Sequence, residues 1–143
     1  MLDKTKATEA LAKLWYAALD THEPTQTLVD MLDPSDLKMV FPEATLSGVD
    51  GFVGWYEGVI NIFFDEVHIV ESVTLGAETN GRTEAKVAVH WEASRWNPPA
   101  AKSDRIMLTA YQTWDVTFTS NGTAKVAKYT VDRLEYLPNS AKL

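Results

Sequence analysis

Between Thr8 and Asp20 the apolar residues Leu11, Leu14, Trp15, Ala18 and Leu19 recur at steps of three and four, which gathers them on one stripe of a helix that Pro24 brings to an end. Thr25 is placed to cap a short second helix through Met31 and Leu32, and Asp33-Pro34 then forces the chain out of helical geometry. Leu37 to Phe41 reads as a strand. Ser47 with Asp50 three residues on is a capping-box signal for a third helix, whose one face carries Phe52, Tyr56, Val59, Ile60 and Phe63. Gly51, Gly54 and Gly58 cost that helix about 1 kcal/mol each relative to alanine, and a close approach to a sheet is the expected reason to keep them.

After Phe64 the apolar period changes to two. Val67 to Leu75, Ala85 to Trp96, Ile106 to Phe118 and Lys125 to Tyr136 all read as long strands. Asn80-Gly81 and Asn121-Gly122 are hairpin signals, because Asn and Gly tolerate the positive φ of primed turns, while Asn97 to Asp104, with Pro98-Pro99, makes a looser connection. Helices grouped ahead of an antiparallel meander predict one α+β domain over residues 1–143.

Composition narrows the partners more than the fold. The 143 residues are 45% hydrophobic and 23% charged, enough to bury a full core without staples. Thirteen Lys and Arg against twenty acids, for a net charge of −7, disfavour nucleic acid. Zero cysteines exclude disulfides, thiol nucleophiles and thiolate metal sites. The stretch from Met1 to Thr8 is charged and no apolar run approaches the ~18 residues of a membrane helix, so no membrane partner and a cytoplasmic location are expected. Asn121-Gly122-Thr123 fits a glycosylation pattern but reads as a turn. His22, His68 and His90 have no metal-ligand spacing, and no glycine-rich phosphate cradle is present, which leaves chemistry without a cofactor, or plain binding.

Three features carry a family resemblance: Leu14-Trp15-Tyr16-Ala17-Ala18-Leu19-Asp20, the approach Met31-Leu32-Asp33 to the first strand, and the hairpin from Phe118 to Tyr129. With the order of elements they resemble the nuclear transport factor 2-like superfamily, which includes SnoaL-like polyketide cyclases, ketosteroid isomerases and limonene epoxide hydrolases. The resemblance implies a cone-shaped α+β roll, three N-terminal helices packed on a curved, mostly antiparallel sheet, with a pocket at the wide end and a homodimer formed through the outer face. The isomerases' two oxyanion donors and proton-moving aspartate have Trp15, Trp114 and Phe41 as counterparts here, and neither Trp nor Phe shuttles a proton. The hydrolases' Arg-x-Asp spacing is matched by His90-Trp91-Glu92, with Asp132 near their last position but without the arginine.

His90 and Glu92 are the candidate catalytic pair. Two apart on a strand, they share a face, and a carboxylate beside an imidazole makes a general base. The competing reading turns the more apolar set, Val87, Val89, Trp91 and Ala93, inward and leaves the pair outside. For ligand binding the candidates are Trp15, Tyr16, Phe41, Phe52, Tyr56, Phe63, His68, Gln112, Trp114 and Tyr129. Gln112 is an amide on the apolar face of its strand, Tyr129 faces the same way, and Arg133 is a rim cation or a surface charge. Two functions fit: a cofactor-independent acid–base enzyme of the cyclase, isomerase or hydratase type acting on a small hydrophobic ligand, or a non-catalytic binding or interaction module. The resemblance to SnoaL-like proteins favours the first, and the aromatics at the isomerases' acid positions favour the second.

Overall fold

The computed structural model describes residues 2–143. The first helix, α1 (Lys4–Asp20), starts a turn earlier than the apolar stripe, because the Asp3 carboxylate accepts the Lys6 N–H at 3.0 Å and satisfies a free first-turn donor. Leu11, Trp15, Ala18 and Leu19 are buried, whereas Leu14 lies at the edge of the stripe and is exposed. The second helix, α2, is short (Thr25–Val29) and ends before Met31. Leu32 instead forms a bridge to Val126.

The strand β1 (Lys38–Val40) doubles back through Phe41–Ala44 into β2 (Thr45–Ser47), a strand not predicted, since three residues show no alternation and the turn carries no Asn-Gly. α3 (Gly48–Ile62) follows directly. The Ser47 side chain makes no cap hydrogen bond, so the capping-box expectation is corrected; Gly48, at φ +71°, makes the entry. Phe63 is already the first residue of β3 (Phe63–Thr79).

β3, β4 (Arg82–Arg95), β5 (Asp104–Phe118) and β6 (Ala124–Tyr136) form the predicted meander, and β1 joins β6 in parallel, giving the sheet order β2-β1-β6-β5-β4-β3. At the β3–β4 turn Asn80 and Gly81 both take positive φ, as a two-residue primed turn requires. At the β5–β6 turn only Gly122 does, within a wider loop closed from Thr119 to Thr123. β4 and β5 pair without a register shift from Thr83↔Val116 to Arg95↔Asp104, while β3 carries three shifts and β6 two.

The core lies between the helices and one face of this mostly antiparallel sheet. Trp15, Met39, Phe52, Tyr56, Ile106, Leu108 and Trp114 are fully buried there. Phe52 packs on Trp15 (5.5 Å between ring centroids), Tyr56 (5.8 Å) and Trp55 (6.0 Å). None of the described helices is long and apolar enough to cross a membrane. Phe52→Ala should therefore lower unfolding free energy by about 3–5 kcal/mol, read by chemical denaturation, because no neighbouring ring can move into the void without losing its own stack.

Candidate functional site

The helices do not fill the space over the sheet. Between α1, α3 and the inner faces of β3 to β6 lies a cavity of about 650 Å³, within the usual range for a small-molecule site. Its aromatic wall is Tyr16, Phe41, Trp55, Phe63, Trp91 and Tyr129, and its aliphatic wall includes Leu19, Val59, Val89, Leu108 and Leu134. Gly54 and Gly58 also line it, and a Cβ at either would meet nothing within 4 Å. Those two glycines open volume rather than permit close packing on the sheet, which corrects the sequence expectation; of the three, only at Gly51 would an added Cβ meet a neighbour, Leu46, at 3.4 Å.

Of the predicted ligand-binding residues, Tyr16, Phe41, Phe63, His68, Gln112 and Tyr129 line the cavity. Trp15, Phe52, Tyr56 and Trp114 stand one layer behind it in the core, a correction that follows from their positions. Trp15 points along the buried stripe toward Phe52 and Tyr129, while Tyr16, one residue on, rotates into the cavity.

The pair His90 and Glu92 is also corrected. The unbroken β4–β5 register keeps strict alternation, so Trp91, on the cavity wall, fixes its neighbours on the outer face of the sheet. There the His90 ring bonds Glu92 at 2.8 Å and Arg105 approaches the same carboxylate at 3.4 Å.

The histidine that faces the cavity is His68. Its Nδ1 lies 2.5 Å from Asp20 Oδ1, and its backbone N–H donates to Asp20 Oδ2 at 3.0 Å. The imidazole is stacked between Tyr16 (4.6 Å) and Trp91 (5.9 Å). A carboxylate only accepts, so Nδ1 donates to Asp20 and Nε2 is the ring nitrogen left over. It has no hydrogen-bond partner among the described residues. Asp20 terminates α1 and His68 sits 48 residues away, so only the packing of α1 on β3 brings them together.

A second polar group joins α1 to the sheet at the cavity wall. Tyr16 donates to Gln112 Oε1 at 2.9 Å, Trp114 Nε1 donates to the same oxygen at 2.8 Å, and the Tyr16 and Tyr129 hydroxyls are 2.9 Å apart. Because the one Tyr16 proton points to Gln112, Tyr129 donates to Tyr16. Burial holds the Tyr16 phenol well above its ordinary range, with Tyr129 adding to the shift, and burial pushes Tyr129 up to about 12 against its bond to Tyr16. Both stay neutral and serve as hydrogen-bonding groups, not as bases.

Three charged groups on the wall were not singled out from sequence. Glu43 accepts from Trp55 Nε1 at 3.4 Å. Arg95 donates to the Lys142 carbonyl at 2.9 Å, with Asp104 3.6 Å away. Glu66 is turned inward beside His68 and meets His22 and Trp91. Among the described residues no group of three or more His, Cys, Asp or Glu is arranged to hold a metal ion.

No protein-family model matches the chain, and no curated protein matches it significantly in sequence. Solved structures do match. A candidate aromatic ring hydroxylase from Novosphingobium aromaticivorans superposes with a TM-score of 0.77 at 14% identity, over 94% of this chain and 89% of that one. A protein of the nuclear transport factor 2-like superfamily from Salmonella enterica gives 0.73 at 9% identity, over 97% and 92%. The fold is nuclear transport factor 2-like. A type 2 hexachlorocyclohexane dehydrochlorinase gives 0.70 at 14% identity, over 98% and 95%. At these identities the nuclear transport factor 2-like fold is shared, and chemistry has to be argued from the residues on the cavity wall.

On the outer face the Glu92 carboxyl is held below its usual range, first by the hydrogen bond from His90 and then by the Arg105 guanidinium. A depressed carboxyl contributes stability that is present above its unfolded-state pKa and lost as pH falls through the folded one. Glu92→Gln should thus destabilise the protein by about 0.5 kcal/mol at neutral pH, a figure reduced for partial exposure, and denaturation midpoints of variant and parent should converge on acidification below about pH 4.

Proposed function

We propose that this chain is an acid–base enzyme that removes a proton from carbon in a small, largely apolar, ring-sized molecule, driving an elimination or an isomerisation. The observation that carries the reading is the Asp20–His68 pair on the cavity wall, 2.5 Å apart, with the imidazole stacked between two rings. Asp20 holds the tautomer and steadies the imidazolium that forms, and Nε2 takes the proton. The stack prevents the ring from turning away, so orientation is set before the substrate arrives. The neutral Tyr129 hydroxyl, also on the cavity wall, can exchange its Tyr16 acceptor for a substrate oxygen on which negative charge develops.

The walls support the substrate class. Rings from Tyr16, Phe41, Trp55, Phe63 and Trp91 surround a volume suited to a one- to three-ring molecule. One structural neighbour is described as a dehydrochlorinase and another as ketosteroid isomerase-like, and loss of HCl and double-bond isomerisation both begin at a C–H bond. Trp15, Phe41 and Trp114 at the isomerases' positions favour a second reading, in which the cavity binds such a molecule without changing it.

5-Nitrobenzisoxazole separates the two readings. A base takes its C3 proton, the N–O bond breaks, and a coloured phenolate leaves. Wild type should eliminate it with saturation, and His68→Ala should lower kcat by roughly 10²-fold or more with little change in Tm. Binding seen by tryptophan quenching, with turnover no faster than free imidazole, would establish the non-catalytic reading instead.

We propose also that a second copy covers the outer face of the sheet. Phe64, Val67 and Ile69 are 41%, 41% and 56% exposed there, and Val67 and Ile69 pair with Glu92 and His90 to make one continuous patch. Light scattering at micromolar concentration should give a dimer that Ile69→Glu dissociates; a wild-type monomer would reject the assignment.

A further inference from the structure

β3 contains a second chemical group that the Asp20–His68 reading does not use. Opposite Ala93 the strand carries one residue too many: Phe64 pairs with Ser94 and Val67 with Glu92, leaving Asp65 and Glu66 to face a single partner residue. Asp65 takes φ +51°, a left-handed conformation sparsely used by residues with a side chain, and Arg105 donates to its carbonyl at 2.7 Å. Phe63 faces the cavity, so strict alternation would send Val67 and Ile69 inward and Glu66 and His68 to the surface. The extra residue inverts that arrangement.

An inverted strand that exposes Val67 and Ile69 while burying a carboxylate and an imidazole works against the hydrophobic effect, and such violations concentrate where function requires them. The Glu66 side chain is only 3% exposed, at the cavity wall. Its Oε2 accepts from His22 Nε2 at 2.7 Å and its Oε1 from Trp91 Nε1 at 3.2 Å. His22, itself held at φ +51° just beyond α1, is 29% exposed and so reaches from the buried carboxylate to solvent. Trp91 touches both groups, its ring on His68 and its N–H on Glu66. Glu66 and His68 stand two residues apart on one face, roughly 6.5–7 Å between Cα atoms, a spacing that lets them flank a small molecule.

We propose that Glu66, recharged through His22, is a second proton-transfer group of this cavity and delivers a proton to the leaving atom while His68 removes one from carbon; the proposal rests on the acid–base reading above. In a dehydration, the His22 imidazolium passes its proton to the Glu66 carboxylate; His68 Nε2 takes the carbon-bound proton, the C–H electron pair becomes the new π bond, the C–O bond breaks, and the Glu66 carboxylic acid so formed protonates the departing hydroxyl to give water. His22 then takes another proton from solvent, and His68 releases its proton when product leaves. The other ionisable groups facing Glu66 are Tyr56 on α3, whose hydroxyl donates to the Glu23 carbonyl at 2.6 Å, and the Asp20–His68 pair; Arg105 holds the bulge from the outer side.

The test varies how much help the leaving group needs. Elimination of 5-nitrobenzisoxazole releases a stable phenolate, whereas unsubstituted benzisoxazole releases a basic one that gains from protonation as the N–O bond breaks. Glu66→Gln should lower kcat for benzisoxazole by roughly tenfold more than for the nitro compound, with KM little changed, and formate should restore part of the lost rate in Glu66→Ala. Should Glu66→Gln not fold, His22→Gln leaves the carboxylate in place, cuts its route to solvent and should show the same leaving-group dependence. Equal losses for both compounds, or no loss, would overturn the proposal while leaving the role of His68 intact. Absence of wild-type turnover with either compound would overturn both.

Discussion

The hydrogen bond from Arg105 to the Asp65 carbonyl, 2.7 Å long, holds the irregularity that decides which side chains of β3 face the cavity. Without the extra residue at Asp65–Glu66, the stretch of β3 from Val67 onward would present its other face, and a one-residue slip exchanges every side chain between core and solvent. Arg105 is itself placed by Ser94 Oγ at 3.0 Å and by the Glu92 carboxylate, which His90 engages from the other side. The outer-face chain His90–Glu92–Arg105 is thus a brace. Residues that look catalytic in the sequence hold the bulge that turns His68 and Glu66 toward the cavity.

Around that bulge the aromatic residues divide into two layers with different duties. Trp15, Phe52, Tyr56 and Trp114 fill the core and fix the angle between α1, α3 and the sheet. Tyr16, Trp91 and Tyr129 form the inner layer, where each ring also carries a polar atom with a defined partner. Packing and polarity are therefore coupled: the stack that orients His68 is built from the same side chains that place hydrogen-bonding groups at the wall.

Periodicity alone located α1, α3 and the four long strands, because each runs through enough turns or alternations for its pattern to stand out. It did not locate β2, a three-residue strand with one half-buried side chain, Leu46. The inward face of β5 was legible from Ile106, Leu108, Ala110, Gln112, Trp114 and Val116, since the strand is strictly alternating. On β4 apolarity favoured Trp91 over His90 as the inward residue, and the His–Glu pair was a catalytic candidate only on the other reading, in which that pair faces the cavity. Asp20 was visible only as the last residue of a helix, and its partner depends on a contact across 48 positions. Glu66 was hidden for a more local reason: a bulge changes phase at one residue, and an Asp such as Asp65, though it enters left-handed backbone more readily than most residues, does not by itself mark a bulge within a strand.

The two glycines of α3 that face the cavity make its size a property of helix composition rather than of fold. Gly54 and Gly58 sit a turn apart with open space where a side chain would begin, so the helix forgoes stability of about 1 kcal/mol at each to keep that space empty. Larger residues at either position would remodel the chamber from the helix side and leave Asp20, His68 and the sheet untouched. Under the proposed acid–base reading, selectivity for the size of the molecule and the groups that move its protons are carried on separate elements, and each can change across evolution without the other being rebuilt.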